Sequence, residues 1–213
     1  MKKEKLTKFS DIVYYYKWYM IITALVILAV AYIAVECHNK VEDDLIVTAV
    51  LSNYPLSTAS DEIAEDMVAD GIIPDLNEDG VSKPYVNMIT FPLTPQSQEE
   101  MMAGQLVSIA FAEKKAVLFL IDLDLLEMYE DDEIFCDISR VAELHDIPDE
   151  DLYIAEDGTI MGISLAGNEY LESKGIPTQT LYACYKYLPY ANTPEENQVM
   201  LDAADEILAY IMK

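Results

Sequence analysis

Residues 75–80 read Asp75-Leu-Asn77-Glu-Asp79-Gly80, the one stretch of this chain whose residue types and spacing match a metal-binding pattern. It corresponds to the first half of a calcium loop, in which oxygen ligands on alternating residues converge on one centre and the following glycine makes the tight turn. Asp75, Asn77 and Asp79 are the candidate Ca²⁺ ligands. The second half departs from the pattern, because Val86 stands where the bidentate Glu belongs. A site built this way has weak affinity, on the order of the millimolar values of extracellular modules. The same residues between a helix and a strand also make an ordinary turn.

Other chemistry is sparse. The histidines are His38 and His145, neither with a partner at metal-ligand or triad spacing. Gly162-Ile-Ser164-Leu-Ala-Gly167 has one residue too many for the G-x-S-x-G elbow that presents a serine nucleophile. There is no C-x-x-C, no H-E-x-x-H and no glycine loop to cradle phosphate. Asp122, Asp124 and the run 130–133 supply carboxylates, but in a chain with 39 acids pairs at any spacing arise by chance. Tyr182, Tyr185, Tyr187 and Tyr190 form an aromatic group suited either to a core or to stacking a sugar. The residues therefore point to a non-catalytic protein, with a secreted hydrolase using paired carboxylates as the catalytic alternative.

A charge divide positions all of this. Residues 19–35 read YMIITALVILAVAYIAV without a charge, and with their flanks they match the ~30 Å hydrocarbon core of a bilayer. Residues 1–18 carry Lys2, Lys3, Lys5, Lys8 and Lys17 against Glu4 and Asp11, a net +3; the whole chain is −26, which leaves −29 on residues 19–213. Positive charge stays on the cytoplasmic side, so the acidic part is expected outside the cell. Tyr14, Tyr15, Tyr16, Trp18 and Tyr19 suit the headgroup layer at the cytoplasmic end. A cleaved signal shares this outline, but the apolar stretch is longer than a signal core and no A-x-A precedes a cut. Glu36 before Cys37 opposes lipidation at that cysteine. So strong a negative charge excludes nucleic acid and anionic lipid headgroups as partners. The expected organisation is a cytoplasmic segment 1–18, a transmembrane helix 19–36, a linker 37–44 and an extracytoplasmic domain 45–213.

Within that domain the pattern predicts strands at 45–51, 85–91 and 116–121 separated by helices at 60–70 and from Thr94-Pro95 onward. This β-α-β-α-β order predicts an α/β fold with a mostly parallel sheet flanked by helices. A helix over 123–129, strands near 153–155 and 159–165, helices capped by Asn168 and by Thr178, and an amphipathic helix after Thr193-Pro194 complete the pattern. Cys136 and Cys184 either pair or serve as small buried hydrophobes.

The helix QEEMMAGQLVSIAFAEKK, the apolar strand AVLFLID, the short helix LDLLEMYEDD and the IFCDIS that follows together resemble the first lobe of an extracellular solute-binding protein with the type II periplasmic-binding fold. GISLAGNEYLESKGIP is similar to the return strand of that family. DLNEDG and the YYYKWY lead resemble its membrane-anchored members from Gram-positive bacteria. The resemblance implies a membrane-anchored, extracellular, non-catalytic binding protein with a small-molecule ligand or an envelope-protein partner. A cell-envelope interaction or structural protein with a degenerate pocket is the alternative. The ectodomain has the length of one lobe, and no ligand residue carries over.

Overall fold

The computed structural model describes residues 9–38, 43–52, 54, 58–76, 79–188 and 193–213. They fall into two units, Met1–Val41 and Glu42–Lys213. The first unit is helix α1, Phe9–His38. Its stretch Tyr16–Val35 is long and apolar enough to cross a membrane, and none of it is buried. An anchor and a signal sequence share that property. The helix begins before the predicted span, because residues 9–18 contain no glycine or proline to stop it.

The second unit is built on a six-stranded sheet in the order β2-β1-β3-β6-β5-β4. Strand β1 (Ile46–Leu51), helix α2 (Ala59–Ala69), strand β2 (Tyr85–Thr90), helix α3 (Gln98–Ala112) and strand β3 (Ala116–Asp122) follow the predicted alternation. β1 pairs in parallel with β2 from Ile46↔Tyr85 to Leu51↔Thr90, and in parallel with β3 on its other edge. β1 and β3 read as apolar runs because both faces are covered; every residue of β3 is buried, whereas the edge strand β2 exposes Tyr85.

The sheet is mixed, which corrects the expectation of a mostly parallel one. Strand β6 (Leu181–Tyr185) inserts antiparallel beside β3, β5 (Ile160–Ser164) pairs antiparallel with β6, and β4 (Leu152–Ile154) closes the edge antiparallel to β5. The helices here are short: α4 (Leu123–Tyr129), α5 (Ser139–Leu144) and α6 (Glu169–Ser173). A parallel crossover takes about a dozen residues of ordered connection, whereas a tight turn is enough to reverse a strand. Ala155 and Gly158 make such a turn between β4 and β5, with Gly158 N donating to Ala155 O and Ala155 N to Thr159 O.

Two predicted elements move. Residues 178–187 are expected as a helix capped by Thr178, but Leu181–Tyr185 form β6 instead, since a short apolar run does not distinguish strand from helix by periodicity. Thr178 is buried and its hydroxyl accepts from Gly167 N and donates to Glu172. Helix α3 starts later than Thr94-Pro95 because Ser97 and Glu100 make a full capping box, each side chain bonding the other's backbone N–H.

The core lies on both faces of the sheet. On one face Val47, Ala49 and Leu51 of β1 meet Ile63 and Met67 of α2 and Leu171 of α6. Helix α7 (Pro194–Ile211) adds Ala204, Ile207, Leu208 and Ile211 to that face. On the other face Val50 and Phe119 meet Val107 and Ala110 of α3 and Leu125 and Leu126 of α4. Fully burying each large aliphatic side chain is worth about 1.5–3 kcal/mol before entropy is counted. Across the first face a polar network joins three helices: Tyr170 donates to Asp66, Tyr210 to Asp70, and Lys174 pairs with Asp66 at 2.6 Å. The Lys174 ammonium, hydrogen-bonded there, holds the Asp66 carboxyl below its ordinary value of 3.8.

Candidate functional site

In an open α/β sheet the crevice for a ligand lies at the carboxyl ends of the strands where the strand order reverses. Here the chain goes from β1 outward to β2 and returns across β1 to β3, so the reversal lies between the ends of β1 and β3. Ser52 follows β1 and Asp122 ends β3. Ser52 donates its N–H and its hydroxyl to Asp122 Oδ2 at 2.6 and 2.7 Å. Thr180, at the start of β6, donates to Oδ1 at 3.3 Å, and its carbonyl accepts from Leu123 N. Asp122 is only 6% exposed. The Asp122 carboxylate is thus held between three strand ends, with Oδ2 taken up by Ser52 and, among the described residues, Oδ1 bonded only by the longer Thr180 contact. An ammonium or hydroxyl group reaching Oδ1 would find an acceptor already oriented, and Thr180 at its exposed rim.

The two largest clefts lined by described residues lie elsewhere on the domain. One, of about 840 Å³, has Phe135 and Met161 in its wall and Glu130, Asp137, Glu156 and Asp157 around it. The acidic run is more than a solvated face. Glu130 accepts from Tyr153 Oη and from Glu156 N, which ties β4 and the β4–β5 turn to the loop after α4. Those donors hold the Glu130 carboxyl below its ordinary value, while burial pushes the Tyr153 hydroxyl up. The other cleft, of about 490 Å³, brings His145, Asp151 and Ser164 into one lining. No triad results. Among the described residues His145 Nε2 has no hydrogen-bond partner, and the Ser164 hydroxyl instead accepts from Ala166 N at 3.3 Å. A nucleophile needs its base within hydrogen-bond reach.

No protein-family model matches the chain, and no curated protein matches it.

The predicted site residues fare unequally. Asp75 turns its carboxylate onto its own loop: Oδ1 accepts from Asp79 N at 3.1 Å and Oδ2 from Gly80 N at 2.6 Å. Asp79 accepts from Val81 N, and Gly80 sits at φ +87°, where glycine is unstrained. These bonds make the turn. Asn77 lies outside the described residues. Among the described residues no group of three or more His, Cys, Asp or Glu side chains is arranged to hold a metal ion. The tyrosines separate: Tyr185 is buried with its hydroxyl on Asp205 at 2.7 Å, Tyr182 packs edge-on against Tyr153, and Tyr187 is exposed. Tyr190 lies outside the described residues. Cys136 and Cys184 are free thiols packed into clusters on opposite faces of the sheet. Burial pushes the Cys136 thiol up to about 11, far from a reactive thiolate.

Ser52 and Thr180 carry no motif and were not legible as partners of Asp122. The usable signal was Asp122 itself, a charge closing an otherwise apolar strand.

Proposed function

We propose that this chain is a single-pass membrane protein with a cytoplasmic N-terminus, and that its acidic C-terminal domain works outside the cell as a non-catalytic binding protein resembling a solute-binding lobe. The observation that carries the reading is α1: an unburied apolar stretch, Tyr16–Val35, with net +3 on residues 1–18 at its N-terminal end and strong negative charge after it. The carboxyl ends of β1 and β3, where open α/β sheets take ligands, favour a small ligand bearing an ammonium or hydroxyl group, because among the described residues Asp122 Oδ1 is bonded only by the longer Thr180 contact.

The alternative is an envelope interaction protein whose crevice is closed. It draws on a specific observation, the two short Ser52 bonds that already satisfy Asp122 Oδ2. Thermal unfolding of the full chain in nanodiscs separates the two. The probes are amino acids, sugars, short peptides and Ca²⁺. A ligand that binds the folded state raises the melting temperature, by the equivalent of about 2.7 kcal/mol at a hundred times its Kd. The binding reading expects such a shift from one probe class and its reduction in Thr180→Val. No shift from any organic class leaves the interaction protein. A Ca²⁺ shift that disappears in Asp75→Ala would place the metal at the turn.

A further inference from the structure

Helix α3 is apolar on both sides. Val107 and Ala110 face the sheet, yet Met101, Met102, Leu106 and Ile109 on the outward side are 66, 55, 54 and 63% exposed. From 101 to 112 the helix has no charged residue, in a part of the chain that carries −29. Soluble helices put charge on that side.

The chain's own connectivity says what meets this face. Ile46 N donates to Lys115 O at 3.0 Å, and Lys115 Nζ donates to Asp43 O at 2.5 Å. The residues where the domain begins are therefore bonded to the residue just past the C-terminal end of α3. Helix α1 ends at His38, and the five residues 39–43 reach at most ~18 Å however they run. With α1 as an anchor, those five residues tether the start of the domain, and with it the segment bonded to Lys115, to the membrane. A second copy is opposed by the negative charge each domain carries, whereas a zwitterionic bilayer presents no net charge to repel it.

We infer that the outward face of α3 docks on the lipid bilayer: Met101, Met102, Leu106 and Ile109 enter the interface between headgroups and acyl chains, and the domain rests on the membrane by this helix. The inference rests on the anchor reading of α1. It uses the geometry of interfacial helices, whose apolar side enters the headgroup boundary while the rest stays in water. Here the opposite side of the helix is occupied by the domain core.

Methionine supplies the readout. The full chain, one copy per phosphatidylcholine nanodisc, is exposed to hydroxyl radicals, and oxidation of Met101 and Met102 is followed by mass spectrometry. Met128, 48% exposed, serves as the internal reference. Docking slows Met101 and Met102 roughly tenfold relative to Met128, the change expected when the docked state lies about 1.4 kcal/mol lower. L106D/I109D restores their oxidation, and L106Q/I109Q does so without new charge should the first variant unfold. A chain that stays in the disc while Met101 and Met102 oxidise as fast as Met128 overturns the docking and leaves the anchor standing. Protection that appears only with several chains per disc also overturns it, by naming a second copy. A chain washed out of the disc at alkaline pH overturns the anchor, and the docking with it.

Discussion

Helices α3 and α7 start alike and end differently. Each opens on a complete capping box, Ser97 with Glu100 and Thr193 with Glu196. α7 then buries Ala204, Ile207, Leu208 and Ile211 and gives its outward side to Glu195, Gln198, Asp202 and Glu206. α3 buries only Val107 and Ala110 and exposes Met101, Met102, Leu106 and Ile109 on its outward side, with only the uncharged Gln105 and Ser108 among them. The caps set where each helix begins and are indifferent to its surroundings; the outward residues record what the helix faces. α7 is made for water. α3 is made for a surface that its own domain does not supply.

The comparison is broken most directly by truncating one large side chain in each helix. Leu208→Ala removes a fully buried side chain and is expected to cost about 2–5 kcal/mol in urea unfolding of the full chain. Leu106→Ala removes one that is 54% exposed and should stay within about 0.5 kcal/mol. A large loss at Leu106 would mean that α3 packs within the domain, and the outward face would lose its meaning.

This contrast was only half legible in the sequence. The stripe of Met200, Ala204, Ile207, Leu208 and Ile211 has a polar complement, so periodicity alone orients α7. α3 offers large apolar residues on both sides, and its spacing identifies a helix without saying which side is core. The same limit applied at β6, where LYACY is too short for its period to be read, and only pairing with β3 decides that it is a strand. The parallel half was readable because β1 and β3 are nearly continuous apolar runs and helices of 11 and 15 residues alternate with its strands. At the crevice, Asp122 could be seen as an anomaly in an apolar strand, but Ser52 and Thr180 reach it across separations of 70 and 58 residues that no local pattern encodes.

The C-terminal ends of the two helices sharpen the comparison further. At the end of α7, Asn168 Nδ2 donates to Ile211 O at 2.7 Å, a neutral cap. At the end of α3, Lys186 Nζ donates to the carbonyls of Phe111, at 3.2 Å, and of Glu113. Lys186 is only 4% exposed, and burial pushes its ammonium down to about 8, with Glu113 opposing the shift. Because the folded state loses this proton at a lower pH than the unfolded chain, stability attributable to Lys186 rises between pH 8 and the ordinary value of 10.5. The gain is on the order of 3 kcal/mol. Unfolding measured against Lys186→Met isolates it, since Tyr170 and Tyr185, whose hydroxyls burial holds protonated, titrate in both proteins. Parallel pH profiles for the two would show that the ammonium is solvated and that α3 ends as neutrally as α7.

A pair of buried threonines gives the smallest effect. Thr178, in the loop before β6, is fully used: its hydroxyl accepts from Gly167 N and donates to Glu172. Thr48 of β1 alternates with Ile46 and Val50, which places it on the sheet face beneath α3, and its Oγ1 has no partner among the described residues. Removing a satisfied buried hydroxyl leaves its partners unpaired, whereas removing an unsatisfied one relieves a desolvation cost. Thr178→Val should therefore lose about 1–2 kcal/mol in thermal unfolding, and Thr48→Val should gain up to about 1 kcal/mol. The sign at Thr48 is the test. A loss there would place an unseen acceptor or water beneath α3, and the face that packs that helix would be wetter than its apolar lining implies.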